Sequence, residues 1–515
     1  MARRMATALI SLGLPPKSHI GLVSKNCREW IIADLAIQMA GFVSVPFYAT
    51  LTGEQLKQVI ELGDVAAMFV GKLEVWDNDM KTGVPEGMPL IAFPQYKNHD
   101  KIEGALEWND LLEKHESLQG NPEQNLDDIW SIVFTSGTTG TPKGVMLTYR
   151  QSDATKIVAE TTNPVKIDLN GNNRFFSYLP LNHIAERVVV ENTCIRYGGE
   201  IFFAESIETF AKNLQDAKPT VFFAVPRIWT KFQLGVLSKM PQKKLDRLLK
   251  IPIISGIVKK KIRTGLGLNE ARGWISGAAP ITESMKNWYR KIGINITDGY
   301  GMTENCAICT TLPGDDNKDG TVGKAQPGTE LRIDPETGEI QMRADYVMEG
   351  YYKNPEKTAE VIKDGWLCTG DQGRIDDDGY LYITGRVKDT FKTTKGKFIV
   401  PSPIEFKFGD NKDIEQICIV GRGCPQPIGL VVASEIGTSK SNQELKESLG
   451  TTLTEVNNKL ENYKKISTLV VTREPWSVEN GLLTPTLKVK RNVLSQRFEG
   501  NLMKWHEEND KVIIE

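Results

Sequence analysis

A ten-residue run rich in glycine and threonine is the segment of this sequence whose residue types could do the most chemistry. It runs from Thr135 to Gly144 and reads Thr-Ser-Gly-Thr-Thr-Gly-Thr-Pro-Lys-Gly. Glycines let the backbone approach a polyphosphate, while hydroxyls, amides and Lys143 supply hydrogen-bond donors and positive charge. The Walker A pattern is excluded, because Lys143 is followed by Gly144 and not by Ser or Thr. A flexible surface loop is the alternative, but the position directly after an apolar strand favours a phosphate-binding loop.

The elements around this loop follow an α/β pattern. The apolar run from Trp130 to Phe134 predicts a buried strand that leads into the loop. Apolar residues recur at helical spacing from Arg28 to Met39, and Thr52 with Gln55 predicts a capping box before another helix. Such helical and strand signals alternate through the first three quarters of the chain. They predict a large layered α/β domain with mostly parallel sheets.

A change of composition near residue 385 predicts a second, smaller α+β domain. A polar segment there contains four closely spaced lysines, Lys388, Lys392, Lys395 and Lys397. Alternating strand patterns and a helical pattern follow it. The expected strands and helix are Gln416 to Val420, Gly429 to Ala433 and Asn442 to Leu460. We therefore divide the chain into residues 1–387 and 388–515.

Composition and charge restrict the class of protein. The chain has 515 residues, 40% of them hydrophobic, which is enough for a large core and more than one folding unit. Lys and Arg number 63 against 65 Asp and Glu, so no global positive field attracts nucleic acid. Seven scattered cysteines indicate reduced thiols in a cytoplasmic compartment. Cys306 and Cys309 form a lone C-x-x-C without a second pair, which disfavours a zinc or redox site.

Neither a membrane span nor a cleaved leader is predicted. No run approaches the ~20 apolar residues that cross a bilayer. The first residues carry two arginines and a short apolar stretch, as a signal peptide does, but no small-residue cleavage site follows. An ordinary first helix followed by a strand from Ile20 to Ser24 is the better interpretation.

The loop at Thr135 to Gly144 resembles the signature of the AMP-forming acyl-CoA synthetases, in the superfamily of adenylate-forming enzymes. Further motifs follow in family order, and together they cover most of the chain. They are Gly-Ala-Ala-Pro from Gly277, Asp-Gly-Tyr-Gly-Met-Thr-Glu from Asp298, Trp-Leu-Cys-Thr-Gly-Asp from Trp366, Gly-Arg-Val-Lys-Asp from Gly385, and Leu-Thr-Pro-Thr-Leu-Lys-Val-Lys-Arg from Leu483. The resemblance implies the adenylate-forming fold, with a large N-terminal domain and a small mobile C-terminal domain. Family members usually carry further structure ahead of the segment that starts at Met1, so an internal start, the boundary of a piece and a true shortening of the first domain are all open.

The resemblance also implies an ATP site that draws on all of these motifs. Glu304 would hold Mg²⁺ through oxygen, with Thr135 as its partner, and Thr303 would hydrogen-bond the α-phosphate. Asp371 would accept from both ribose hydroxyls, and Arg386 would support the same ribose. The full set of expected ATP-binding residues is Thr135, Ser136, Gly137, Thr138, Thr139, Gly140, Lys143, Gly277, Ala278, Asp298, Gly299, Tyr300, Gly301, Thr303, Asp371, Arg386, Lys388, Lys392 and Lys488.

Lys488 is the expected catalytic lysine, bridging the substrate carboxylate and the α-phosphate. The family spacing of a lysine three residues before an arginine selects Lys488 over Lys490. A solvated basic strand is the alternative for this segment taken alone. The resemblance further implies that the small domain rotates about Lys388 for the second step and presents the loop 392–401 to coenzyme A.

Two positions concern the acyl group. His183, in Leu-Pro-Leu-Asn-His-Ile-Ala-Glu-Arg, resembles the aromatic position near the acyl-phosphate, and a histidine that only satisfies a carbonyl is the alternative. His-Ile-Ala-Glu-Arg at 183–187 and Val-Pro-Arg at 225–227 are typical of long-chain members. Trp229 stands where some of these enzymes have an indole that gates an alkyl tunnel, and ordinary core packing is its alternative.

Residues 239–263 contain nine basic residues and a single acid, Asp246, among many leucines and isoleucines. A basic amphipathic stretch can rest on an anionic membrane surface, which predicts peripheral contact at the inner membrane face. A solvated helix that caps the core fits the same pattern.

The function that these features predict is that of a long-chain fatty acid CoA ligase. It would convert a fatty acid and ATP to acyl-AMP and pyrophosphate, and then form acyl-CoA and AMP, with Mg²⁺ as cofactor and coenzyme A as co-substrate. A fatty-acyl-AMP ligase that loads an acyl carrier protein shares the first step, and a non-catalytic lipid or nucleotide sensor is the second alternative. A homodimer is compatible with the sequence.

Overall fold

The computed structural model describes residues 1–135, 141–206, 208–316, 318–477, 480–484 and 488–515. The strands of these ranges are, in chain order, β1 (His19–Ser24), β2 (Val43–Phe47), β3 (Val65–Gly71), β4 (Leu90–Ala92), β5 (Leu106–Glu107), β6 (Ile129–Thr135), β7 (Lys143–Thr148), β8 (Arg174–Ser177), β9 (Glu200–Phe203), β10 (Val221–Ala224), β11 (Gly273–Gly277), β12 (Ile296–Tyr300), β13 (Thr310–Leu312), β14 (Lys324–Ala325), β15 (Glu330–Ile333), β16 (Glu339–Arg343), β17 (Gly350–Tyr351), β18 (Ile362–Lys363), β19 (Trp366–Ile375), β20 (Leu381–Arg386), β21 (Phe391–Lys392), β22 (Phe398–Ile399), β23 (Ile414–Val420), β24 (Ile428–Ala433), β25 (Leu469–Val471) and β26 (Val512–Ile514).

The α-helices of the same ranges are α1 (Ala2–Ser11), α2 (Arg28–Met39), α3 (Gly53–Leu62), α4 (Trp108–Lys114), α5 (Tyr149–Ala154), α6 (Lys156–Thr161), α7 (Ile184–Glu186), α8 (Thr193–Tyr197), α9 (Phe210–Ala217), α10 (Pro226–Lys239), α11 (Gln242–Leu249), α12 (Pro252–Gly265), α13 (Glu283–Lys291), α14 (Pro355–Val361), α15 (Ser402–Phe406), α16 (Glu435–Thr438), α17 (Asn442–Asn458), α18 (Arg491–Arg497) and α19 (Glu499–Glu508). A π-helical segment, Arg187–Asn192, joins α7 to α8. The 3₁₀ turns are Met80–Gly83, Thr303–Asn305 and Asn462–Lys464.

Two large sheets form the first part of the molecule. The first has the order β17-β7-β6-β2-β1-β3-β4-β5, in which every pair from β6 to β5 is parallel. The second has the order β14-β13-β12-β11-β10-β8-β9 and is parallel from β12 to β9. The layered α/β architecture with mostly parallel sheets is therefore confirmed.

Smaller sheets follow along the chain. β15, β16, β18, β19 and β20 form an antiparallel sheet, and β21 pairs with β22. β23 to β26 form a mixed four-stranded sheet, whose core includes residues of α17. This α+β unit contains the predicted strands and helix after residue 388.

Local patterns explain the element boundaries. Thr52 and Gln55 form the reciprocal hydrogen bonds of a capping box at the start of α3, as predicted. The predicted helix from Arg28 to Met39 is α2, and α1 precedes β1 as expected. Among the described residues, no helix is both long and apolar enough to cross a membrane.

Candidate active site

The ends of the Gly/Thr loop lie at the open end of the β6–β7 hairpin. Thr135 pairs with Lys143, so both residues border the loop, while residues 136–140 fall outside the described ranges. The Lys143 ammonium lies 5.2 Å from the centre of the Tyr351 ring. Desolvation lowers the pKa of Lys143, and the nearby Lys388 ammonium lowers it further. Lys143 and Lys388 therefore give the tip of the hairpin a positive charge, which suits a bound polyphosphate.

Glu304 is anchored to the same hairpin through Tyr351. It lies in the 3₁₀ turn Thr303–Asn305, and its Oε1 accepts a hydrogen bond from the Tyr351 hydroxyl at 2.8 Å. Tyr351 belongs to β17, which pairs with β7 at Val145. Glu304 is half-buried, so its second carboxylate oxygen can serve a cation or a phosphate-bound water in the cleft.

Asp371 stands at the centre of a second group of polar contacts. It is buried in β19, and its Oδ2 accepts a hydrogen bond from the Tyr300 hydroxyl at 2.7 Å. Arg386 faces it on β20 and donates from Nε to Oδ1 at 2.9 Å. The Asp371 carboxylate is the largest cause of a raised pKa of Arg386. Asp371 thus remains a fixed hydrogen-bond acceptor beside a permanent cation.

Lys488 reaches toward both groups from the small α+β unit. Its backbone N–H donates to Thr484 Oγ1 at 3.0 Å, and its carbonyl accepts from Thr484 N at 2.8 Å. Although the residue as a whole is exposed, desolvation of the ammonium is the largest cause of its lowered pKa. Arg386 lowers this pKa further, while Asp371 and Glu304 raise it. The ammonium of Lys488 is therefore within electrostatic reach of all three side chains.

His183 is also within electrostatic reach of Lys488. It caps α7, where its Nδ1 accepts a hydrogen bond from the Ala185 backbone N–H at 3.3 Å. Burial lowers the pKa of His183 to about 4, and the Lys488 ammonium contributes to the shift. The imidazole is therefore neutral at physiological pH, as the capping hydrogen bond requires.

The glycines of the expected nucleotide strands allow a close backbone approach. Gly277 and Gly299 are partners across β11 and β12, and Ala278 adopts a positive φ of 66° directly after β11. A Cβ on Gly301 would overlap the Ala307 carbonyl, so the turn after β12 requires glycine there. These residues keep the end of the sheet bare, which suits a flat aromatic ligand.

The Asp298 side chain is subject to the charges of α13. It is buried, and the charges that act on it are those of Lys286 and Glu283 on α13. Burial raises the pKa of Asp298 to about 7, although Lys286 opposes the shift. Any contact of Asp298 with a nucleotide would therefore use a carboxyl group that exchanges its proton near neutral pH.

Two other expected positions, Lys392 and Trp229, have aromatic neighbours. The Lys392 ammonium lies 5.5 Å from the centre of the Phe398 ring, on the β21–β22 hairpin. Trp229 is fully buried in α10 and packs edge-to-face on Phe222 and Tyr289. The Tyr289 hydroxyl donates to the Trp229 carbonyl at 2.5 Å, which fixes the start of α10 against α13.

A buried ionic cluster lies behind His183. Arg187 is fully buried and donates to both carboxylate oxygens of Asp34 and to Ser131 Oγ, each at 2.7 Å. Its Nε donates to Glu191 at 3.3 Å, and its guanidinium lies 4.2 Å from the centre of the Trp130 ring. Ser131 is on β6, the strand that ends at Thr135, so Arg187 connects this strand to the helix that follows His183.

The two parts of the chain also touch outside the cleft. Arg227 at the start of α10 forms an ion pair with Glu415 on β23, and Ser284 at the start of α13 donates to Asp410. A cavity of about 410 Å³ opens beside the second contact. Its lining includes Thr282 but none of the expected site residues, so we assign it no catalytic role.

Sequence reasoning did not find Tyr351 as the anchor of Glu304 or Arg187 as the buried link. Tyr351 belongs to none of the motifs named above, and its contacts depend on pairing between strands that are far apart in the sequence. Arg187 was recognised as part of a motif, but the motif gave no indication of its partners Asp34 and Ser131.

The fold and the clustered side chains define an adenylate-forming enzyme. The AMP-binding enzyme family model matches residues 1–352, and the AMP-binding enzyme C-terminal domain model matches residues 388–510. The chain therefore belongs to the AMP-binding enzyme family.

Its relatives include long-chain-fatty-acid–CoA ligase 5 of Rattus norvegicus, 31% identical over 98% of this chain and 83% of the relative. Fatty acyl-CoA synthetase B of Dictyostelium discoideum is 29% identical, with the same two coverages. Among solved structures, the A domain of the carboxylic acid reductase from Segniliparus rugosus, in complex with AMP and a co-purified carboxylic acid, superposes with a TM-score of 0.80. It is 22% identical over 98% of this chain and 86% of that chain, which supports the shared fold.

Proposed function

We propose that this protein is a long-chain fatty acid CoA ligase that forms acyl-AMP from a fatty acid and ATP and then transfers the acyl group to coenzyme A. The observation that carries the proposal is the position of Lys488. Its ammonium is within electrostatic reach of Asp371, Arg386, Glu304 and His183, so that four distant segments of the chain, including the one with Lys488, meet here. The names of the curated relatives support a long-chain acid as the substrate and coenzyme A as the acceptor.

Acyl-adenylate formation requires two anions, the carboxylate and the α-phosphate of ATP, to approach each other. We assign Lys488 the role of neutralising the charge that develops between them. Asp371 accepts hydrogen bonds from the ribose hydroxyls, and Thr303 donates to the α-phosphate. Thr135 and Lys143, with the loop between them, bind the β- and γ-phosphates.

Glu304, with Thr135, is the proposed ligand set for Mg²⁺. No cluster of three or more His, Cys, Asp or Glu side chains that could hold a metal occurs within the described ranges. A single half-buried carboxylate still fits Mg²⁺, which is commonly held by one or two protein carboxylates together with substrate phosphates and water. When bound, the ion would neutralise charge on the phosphate oxygens.

Thioester formation requires room for the thiol beside the acyl carbonyl, which Lys488 would otherwise occupy. We propose that residues 388–515 move as a mobile domain about Lys388, so that Lys488 withdraws and the loop 392–401 takes its place. Lys388 lies close enough to Lys143 to lower its pKa, which supports a hinge beside the proposed phosphate site.

The choice of acceptor tests the proposed function. Purified protein is incubated with palmitate, ATP and Mg²⁺, together with either coenzyme A or a phosphopantetheinylated carrier protein. We expect pyrophosphate release and palmitoyl-CoA. Acylation of the carrier protein alone would establish the fatty-acyl-AMP ligase instead. Absence of pyrophosphate release with every acid tried, from acetate to long-chain acids, would establish a non-catalytic relative.

The Arg227–Glu415 pair should bias the domain position toward acyl-adenylate formation. Both side chains are partly exposed, so the pair contributes up to about 1 kcal/mol, or about fivefold in a domain equilibrium. Glu415→Gln should therefore slow adenylation up to about fivefold and not slow thioester formation from supplied acyl-AMP. The two half-reactions are measured separately. Glu330→Gln, which breaks an exposed pair with Arg343 in one sheet, is the control and should change neither.

Trp229 is proposed to gate the alkyl tunnel. Burial of each methylene contributes ~0.8 kcal/mol, or about fourfold in kcat/KM, until the tunnel is filled. Trp229→Ala should change how kcat/KM rises with chain length and leave activity on acetate and butyrate within a few-fold of wild type. Trp288→Ala, a similar truncation in the same core cluster, is the control. Equal chain-length profiles for both variants would assign Trp229 to packing alone.

A further inference from the structure

An exposed apolar tip marks the start of α12. Ile253 is 83% exposed and Ile257 is 63% exposed, more than any other large apolar side chain that the structure describes. Ile251 and Ile254 extend the same surface at 46% and 37% exposure. Successive residues of a helix are rotated by about 100°, so Ile253, Ile254 and Ile257 share one face. We call these four isoleucines the isoleucine tip.

Basic side chains surround the isoleucine tip. Those that are exposed on α11, α12 and their connections are Lys239, Lys243, Lys244, Arg247, Lys250, Lys260 and Lys261. Across 239–263 there are nine basic residues and one acid, Asp246, which is held by Gln242 and Lys291. Within the part of the chain that is described, none of the nine forms an ion pair. The surface is thus apolar at its centre and positively charged around it.

The inner faces of the same helices cover the core around Trp229. Leu245 of α11 and the buried Val258 and Ile262 of α12 belong to one hydrophobic cluster with Trp229. α11 and α12 therefore separate solvent on one side from the proposed acyl tunnel on the other.

We infer that the isoleucine tip and its basic surround form a docking surface for an anionic lipid bilayer, so that fatty acid enters from the membrane beside Trp229. A surface of this composition is complementary to two layers of a bilayer, the acyl chains and the headgroups. Isoleucines insert among the acyl chains, and lysines attract anionic headgroups, whereas a groove for a peptide would be concave. The inference rests on the proposed function for the identity of the cargo, but the docking itself does not require turnover.

Vesicle flotation of the full chain tests the docking. The vesicles are phosphatidylcholine alone or phosphatidylcholine with phosphatidylglycerol. We expect binding to the anionic vesicles, weakened about a hundredfold by Ile253→Ser with Ile257→Ser, because burial of each isoleucine contributes roughly tenfold or more. Lys260→Gln with Lys261→Gln should weaken it and reduce its salt dependence. Ile10→Ser with Leu126→Ser, which removes two exposed apolar side chains elsewhere, is the control and should bind as wild type does.

Activity separates the docking from the proposed function. The isoleucine variant should activate octanoate, a water-soluble acid, at the wild-type rate and lose activity on palmitate supplied in anionic vesicles. Wild type that releases no pyrophosphate from either acid would refute the function and not the docking.

Three results would overturn the docking proposal. They are wild type that fails to float with anionic vesicles, a double isoleucine variant that floats within about twofold of wild type, and a lipid-free wild-type dimer that the isoleucine substitutions convert to monomer. The last result, read by sedimentation velocity, would make the tip a subunit interface.

Discussion

Replacing Lys488 by alanine should slow acyl-adenylate formation by about a hundred- to a thousandfold, the usual cost of removing one charge-stabilising donor from a transition state. Thioester formation from supplied acyl-AMP should stay within a few-fold of wild type, because the proposed domain movement withdraws Lys488 before that step. The assigned role of Lys488 is to stabilise charge that develops only as the carboxylate attacks the α-phosphate. The loss should therefore appear in the rate of adenylation more than in the KM for ATP.

Lys490→Ala is the matched control for this prediction. It removes an identical charge two residues away, from the residue that precedes α18. Pyrophosphate release measures the first step, and coenzyme A consumption with supplied acyl-AMP measures the second. Equal losses in both steps for Lys488→Ala, or equal effects of the two substitutions, would contradict the assigned role.

Arg187→Ala should destabilise the large domain by about 3–5 kcal/mol, since it leaves the buried Asp34 carboxylate without its cation. The same change removes the donor to Ser131 and the cation that packs on Trp130. We expect a lower denaturant midpoint for the transition that reports the first sheet, followed by tryptophan fluorescence. Activity at low temperature should fall less than stability does.

Arg196→Ala provides the comparison on the next helix. Arg196 is partly exposed and donates to Thr155 Oγ1 and the Ser152 carbonyl, so its loss should cost about 1 kcal/mol or less. A substitution of Arg187 by Met together with Asp34→Leu should recover part of the loss, because no unpaired carboxylate remains at Asp34. An Arg187→Ala protein as stable as the Arg196→Ala protein would refute the interpretation.

Local sequence signals predicted the elements that present the site. The capping box at Thr52, the apolar runs of the parallel strands and the glycine-rich loop each depend on residues close together in the chain. Gly301 could be recognised from its motif, and the structure gives the physical reason, because a side chain there would overlap Ala307. The choice of Lys488 over Lys490 rests on motif spacing, and the charges of Arg386, Asp371 and Glu304 that act on Lys488 could not be predicted from that spacing.

The contacts that fix the site between distant segments could not be predicted in the same way. Arg187 binds Asp34, which lies 153 residues earlier, and Tyr351 binds Glu304 only because β17 joins β7. A single sequence contains no local pattern for such pairs, since burial and sheet order decide them. The same holds for Asp298, whose motif predicts a place at the nucleotide but gives no sign that the charges of Lys286 and Glu283 act on its buried carboxyl group.

The pairing of β17 with β7 also has a consequence for biosynthesis. Gly350 pairs with Met146, so the outer edge of the β6–β7 hairpin stays unpaired until a strand about two hundred residues later has left the ribosome. During this interval the nascent chain exposes a sheet edge that can join other chains. A fragment that ends before Gly350 would keep this edge permanently open, and it should aggregate even though it contains most of both large sheets.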